Sequence, residues 1–175
     1  MKIKIFVFLL AILMCFAFGC QKKAEKAEAQ QAPAVNLEAE KAAIKTVIDQ
    51  WMQGMKTKDM ELYSRIIAHD SDMVNFGTDT AEKWVGWESL KESIESQFKS
   101  IDVDNISIKD QFIRVHKSGE VAWFSEVVDW TGKAQGQPFS MEGFRLTGVL
   151  EKQAGNWAFV QFHASIPVSG QAVKY

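Results

Sequence analysis

The sequence predicts an α+β domain whose N-terminal helices pack on one face of an antiparallel sheet. Three observations carry this reading. Apolar residues recur at spacings of three and four over positions 37–55. From Val103 onward the period changes to two. The segments of period two are joined by short connections, which make sequential strands antiparallel neighbours. Helices first and a meander afterwards is the order of an α+β domain.

Each element has its own signal. Leu37, Ile44, Val47, Ile48, Trp51, Met52 and Met55 form one apolar stripe at helical spacing. Asn36 suits an N-cap, Glu38 and Glu40 sit in the first turn, and Lys56 and Lys58 in the last. A second, short helix starts at Asp59, with Leu62, Tyr63, Ile66 and Ile67 on one side. Met73-Val74-Asn75-Phe76 reads as a short strand and Trp84-Val85-Gly86 as another. A third helix runs from Trp87 to Lys99 on Leu90, Ile94 and Phe98. Strands are expected near 104–116, 120–131, 138–151 and 156–166. Turns fall at Ser118-Gly119 and Ala154-Gly155-Asn156, with a looser connection over 132–136. The last strand is apolar on both faces: Ala158, Val160, Phe162, Ala164 and Ile166 alternate with Trp157, Phe159, Gln161, His163 and Ser165. One-sided sheets alternate more cleanly, so a covered second face is expected, with a homodimer through the sheet as its cause.

The N-terminus is a separate matter. Lys2 and Lys4 precede 14 apolar residues, Ile5 to Phe18, which matches the charged and hydrophobic regions of a secretory signal. At 1.5 Å per residue the run spans about 21 Å, short of the roughly 30 Å hydrocarbon core, which counts against a spanning anchor. Ala17-Phe18-Gly19-Cys20 resembles a bacterial lipobox, with a small residue before the cysteine. The resemblance implies cleavage before Cys20 and lipid on its sulfur. Acyl chains there would anchor the protein to a membrane, each buried methylene adding about 0.8 kcal/mol. Gln21 follows, with no aspartate to suggest inner-membrane retention, so the expected location is extracytoplasmic, on the outer membrane if the host has one. The expected organisation is a lipoprotein signal over 1–19, lipidated Cys20 and a tether over 20–36, one domain over 37–168 and a tail over 169–175. The tether is Gln, Lys, Glu and Ala with little apolar side-chain surface to bury.

Composition narrows the function. Hydrophobic content of 47% with 24% charged residues is that of a globular protein. The net charge is −2, and −4 without Lys2 and Lys4, so no basic field invites nucleic acid. Both cysteines, Cys15 and Cys20, fall in the N-terminal segment, leaving the domain with neither disulfide nor thiol nucleophile. Hydrolase elbows, zinc-protease helices and phosphate loops are missing, and His69, His116 and His163 are too scattered to read as a metal site. No cofactor is expected.

Six segments in order then carry a resemblance: Asn75-Phe76-Gly77-Thr78-Asp79, Glu82-Lys83-Trp84-Val85-Gly86, Val121-Ala122-Trp123, Arg145-Leu146-Thr147, Gly155-Asn156-Trp157 and Phe162-His163-Ala164-Ser165-Ile166-Pro167. Together they resemble a SnoaL-like domain of the nuclear transport factor 2-like superfamily, over about 37–168. The resemblance implies a cone, a curved antiparallel sheet around the long first helix with a cavity between them. Its members include isomerases, cyclases, dehydratases, a kinase association domain and binding proteins, so the fold leaves the activity open. Places that are cationic in the kinase association domain correspond here to Leu90, Val128, Gly148 and Ala164. The resemblance therefore implies a mostly apolar cavity with a carboxylate or two, suited to neutral or cationic apolar ligands.

Several residues are candidates for chemistry. His163 could serve as a general base near neutral pH, with Arg145 stabilising negative charge and Asp129 orienting the ring. The alternative is that His163, Ser165 and Arg145 tie strands together or bond across a dimer interface. Glu126 and Glu142 are expected on one apolar face with Trp130, as a carboxylate pair with one raised pKa or as solvated strand ends. Tyr63 and Trp130 are candidates for a cavity rim, and Asp70 and Asp72 for a helix-to-strand turn. Candidate catalytic residues are thus His163, Glu126 and Glu142; candidate ligand-binding residues are Trp130, Glu126, Glu142, Tyr63 and Arg145. Three readings stand: a membrane-anchored module binding a small apolar molecule, an acid–base enzyme, and a dimerisation module.

Overall fold

The computed structural model describes residues 35–171 with 173 and 174. The signal segment, Cys20 and the tether up to residue 34 lie outside the described residues.

Helix α1 spans Leu37–Thr57 and α2 spans Met60–Ile66. Asn36 caps α1, its Oδ1 accepting from Ala39 N at 3.2 Å. Lys58 lies just past the helix, in the left-handed conformation that ends it (φ 57°). Asp59 caps α2 through Leu62 N at 2.8 Å. Strands β1 (Val74–Phe76) and β2 (Lys83–Val85) follow, then α3 (Gly86–Ser100). Four long strands complete the chain: β3 (Ile101–Val115), β4 (Val121–Ala134), β5 (Gln137–Gln153) and β6 (Asn156–Ser165).

The sheet is six-stranded, in the order β2-β1-β6-β5-β4-β3. Its long strands are antiparallel throughout; β1 joins β6 in parallel at Phe76 and His163, which makes the sheet mixed. The connection over 132–136 is tight rather than loose. Gly132, Lys133 and Ala134 continue β4, and Gln135 (φ 49°) with Gly136 (φ 79°) makes a two-residue hairpin between Ala134 and Gln137.

Bulges govern which side chains face inward. In β6 the register slips between Val149 and Leu150, whose partners are Gln161 and Phe159. Trp157 and Phe159 are buried before the slip, Phe162 and Ala164 after it. Ala158, between Trp157 and Phe159, is buried as well, so the two-faced richness of this strand is in large part, not wholly, a change of phase of the buried face. A second bulge in β5 sets Glu142 and Gly143 opposite Asp129, whose Oδ1 accepts from Gly143 N at 2.9 Å. Gly143 takes φ 71°, a conformation glycine adopts without a Cβ penalty.

Trp51 of α1 is the hub of the core. Its ring meets Tyr63, Phe159 and Phe162 edge-on at centroid distances of 5.2, 4.8 and 4.7 Å. At the N-terminal end of α1, Glu40 accepts from Lys152 Nζ (2.6 Å) and Trp157 Nε1 (2.8 Å), pinning the helix to the β5–β6 hairpin.

Candidate functional site

Between α1, α3, the β1–β2 loop and the inner sheet face lies a cavity of about 180 Å³. Its walls come from every layer of the fold. Helix α1 contributes Trp51, Met52 and Met55 because the same apolar stripe that packs the helix points there. Leu90 and Ile94, four apart on α3, close another side. The sheet adds Val128 and Trp130 from β4, Phe144 and Leu146 from β5, and Phe162 and Ala164 from β6. Leu90, Val128 and Ala164 are thus wall positions, as the aligned segments implied, and apolar ones. Gly148 serves packing instead: a Cβ there would lie 2.6 Å from the Phe124 ring and 2.8 Å from Gln161 O.

Polar groups in the wall are few. Tyr63 is fully buried and spends its hydroxyl on Trp51 O at 2.9 Å, and burial pushes its pKa well above the usual phenol value. Tyr63 is therefore part of the wall rather than the rim. Trp130 lines the cavity, its ring edge-on to Phe144 at 5.1 Å, and its shielded Nε1–H finds no acceptor among the described residues. Glu82 is the charged side chain of the lining, and sequence reasoning did not single it out. Its Oε2 accepts from Thr78 N and Oγ1 (2.5 and 3.0 Å), while Asp79 Oδ1 accepts from Ala81 N (2.7 Å). Gly77 leaves room for this carboxylate, since a Cβ there would collide with it.

The expected acid–base residues lie elsewhere. Glu126 is buried, with Oε2 accepting from Gln111 Nε2 at 2.8 Å and Oε1 without a partner among the described residues. A bulge makes that contact: Asp110 (φ 49°) and Gln111 together oppose Glu126. Burial raises the Glu126 pKa; Gln111 opposes this, and Asp49 and Lys45 of α1 act in opposite senses. Glu126 does not line the cavity. Glu142 is exposed, and the Gly143 bulge turns it away from the face that holds Glu126. The expectation that the two carboxylates share a face is thus corrected, because the bulge breaks the alternation on which it rested.

His163 and Arg145 are also exposed. Thr147 lies opposite His163 and Ser165 opposite Arg145, so the expected cross-strand neighbours are in place on the outer face. The His163 ring meets Phe76 at 6.0 Å. Asp129 does not orient His163: it pairs with Lys109 and caps Gly143 N, both of which lower its pKa. Asp70 accepts from Gln153 Nε2 at 3.1 Å. Among the described residues no group of three His, Cys, Asp or Glu side chains is placed to hold a metal ion. No described helix is long and apolar enough to cross a membrane.

The family model for the SnoaL-like domain matches residues 44–169, which takes in most of α1, the other two helices, the sheet and every cavity wall. The chain belongs to the SnoaL-like family. Solved structures show the same fold. A nuclear transport factor 2-like superfamily protein from Salmonella enterica serovar Typhimurium superposes with a TM-score of 0.66 at 18% identity, covering 79% of this chain and 99% of that one. A nuclear transport factor 2-like protein from Cytophaga hutchinsonii gives 0.59 at 15%, covering 72% and 97%. A ketosteroid isomerase-like protein from Erwinia carotovora atroseptica gives 0.59 at 21%, covering 72% and 95%. No curated protein matches the sequence. At these identities the structural likeness establishes the nuclear transport factor 2-like fold and leaves the chemistry to the residues present.

Proposed function

We propose that this SnoaL-like domain is a binding module that holds a small, largely apolar molecule in its cavity. The observation that carries the reading is the lining: apolar and aromatic side chains from every layer enclose about 180 Å³, with few polar groups. Proton transfer by Glu126, Glu142 or His163 has less support, because none of the three lines that space. The isomerase-like name of one structural neighbour keeps an enzyme as the alternative, tested by turnover in the wild type and Glu126→Gln.

The module would be tethered by lipid on Cys20, outside the cytoplasm. Palmitate labelling that is lost in Cys20→Ser supports this, and labelling that survives removes it. A homodimer through the sheet is the third part of the reading. Phe76, Phe112 and Trp123 stand 42–54% exposed, and the paired row Phe76, His163, Thr147, Ser125, Phe112 crosses the outer face. Exposed aromatic side chains sharing one face suit a second copy. Sedimentation as a monomer at micromolar concentration would remove this part.

A thermal-shift series with small apolar compounds tests the binding reading. A ligand at 100 times its dissociation constant adds about 2.7 kcal/mol of stability. Absence of any shift across a broad series would leave the dimerisation module ahead.

A further inference from the structure

Resting on the cavity's role as a binding site, we infer that its ligand is an organic cation, an apolar body carrying an ammonium-type head that sits against Glu82. Glu82 is the one carboxylate in the lining, and among the described residues no Lys, Arg or His faces the space. Its two oxygens are used unequally. Oε2 is committed to the β1–β2 loop through Thr78 and Asp79. Oε1 accepts no hydrogen bond among the described residues, and it is not one of the shielded unpartnered atoms.

The loop holds that carboxylate in place. Asp79 Oδ1 accepts from Ala81 N and from Glu82 N (3.1 Å), and Gly77 N donates to Glu82 O at 2.8 Å. The charge is thereby fixed on a short, internally bonded turn rather than on a free side chain, which reduces the ordering cost of pairing with it.

The walls favour the same charge. Trp51, Tyr63, Trp84, Trp130, Phe144 and Phe162 all contribute to the lining. Aromatic faces are negative and attract a desolvated cation, the arrangement by which aromatic cages hold ammonium groups. An anion would meet a carboxylate and ring faces with no positive group among the described residues to offset them. A neutral ligand would gain the apolar walls and a hydrogen bond to Glu82 at most, without charge pairing or attraction to the ring faces.

The test titrates the full chain in detergent micelles with benzylammonium, its neutral isostere benzyl alcohol, and benzoate, following saturable changes in tryptophan emission. Benzylammonium is expected to bind about tenfold more tightly than benzyl alcohol, with benzoate weakest. In Glu82→Gln, which retains an acceptor for the loop, the preference for the cation is expected to vanish while benzyl alcohol binds as before. A loop-capping role alone would change the melting temperature and leave the preference intact. Should that variant fail to fold, added salt decides in the wild type: it should weaken benzylammonium and spare benzyl alcohol. Equal binding of cation and alcohol overturns the cation inference and leaves the binding module standing. Saturation by none of the three overturns both.

Discussion

Tyr63 of α2 donates its hydroxyl to the carbonyl oxygen of Trp51 in α1 at 2.9 Å, entirely out of contact with solvent. The bond joins the two helices and fixes two rings that both line the cavity. Tyr63→Phe keeps the ring and deletes the bond. The expected loss is about 1 kcal/mol in chemical denaturation, the net worth of one buried hydrogen bond.

Gly54 faces the same ring. A Cβ at position 54 would lie 2.6 Å from Tyr63 Cε2 and 2.9 Å from Cδ2. Alanine is intrinsically better than glycine inside a helix by about 1 kcal/mol. The collision opposes that gain, because the Tyr63 ring is held at its far end and by its aromatic neighbours Trp51 and Phe98. Gly54→Ala is therefore expected to lower the melting temperature, and a rise would show that the ring moves freely.

Glu40 is held below its ordinary pKa of 4.5, first by the hydrogen bond from Lys152 and then by that from Trp157. A depressed folded-state value means the carboxylate stabilises the fold above pH 4.5. That stability is lost as pH falls through the lowered folded value. Glu40→Gln is expected to be about 1 kcal/mol less stable than wild type at pH 7. Urea midpoints of the two proteins should converge in acid.

Glu126 has the opposite sign. Burial raises its folded pKa above 4.5, so the fold is favoured with the carboxyl protonated. Stability from this group is fully present below pH 4.5 and falls as pH rises towards the folded value. Glu126→Gln is expected to be more stable than wild type at pH 7 and equal to it near pH 4. The same urea series checks both glutamates, one serving as the control for the other.

Ala164 is a small, buried wall residue on β6. Ala164→Phe places a ring in the cavity. It is expected to abolish saturable ligand binding while circular dichroism shows an intact fold.

Much of this was legible in the sequence. Asn36, Asp59 and the Leu37–Met55 stripe located the helices because caps and period depend on residues close in the chain. The faces of the sheet were harder. Glu142 reads as a partner of Glu126 only if β5 alternates without interruption, and the Gly143 bulge interrupts it. The β5–β6 bulge likewise sets which of Phe159 and Phe162 share the buried face, since it resets the phase after Phe159. Bulges answer to the bending of the whole sheet, which no local pattern encodes. Glu82 escaped notice because a carboxylate in a loop has a sufficient local explanation. Only the fold brings that loop up against Trp51 and Trp130.

The most direct measurement is the crystal structure of the protein soaked with benzylammonium or benzyl alcohol. Binding in the cavity requires density for the probe among Trp51, Trp84 and Trp130. A cavity unchanged at concentrations well above those that saturate comparable apolar sites would contradict the account.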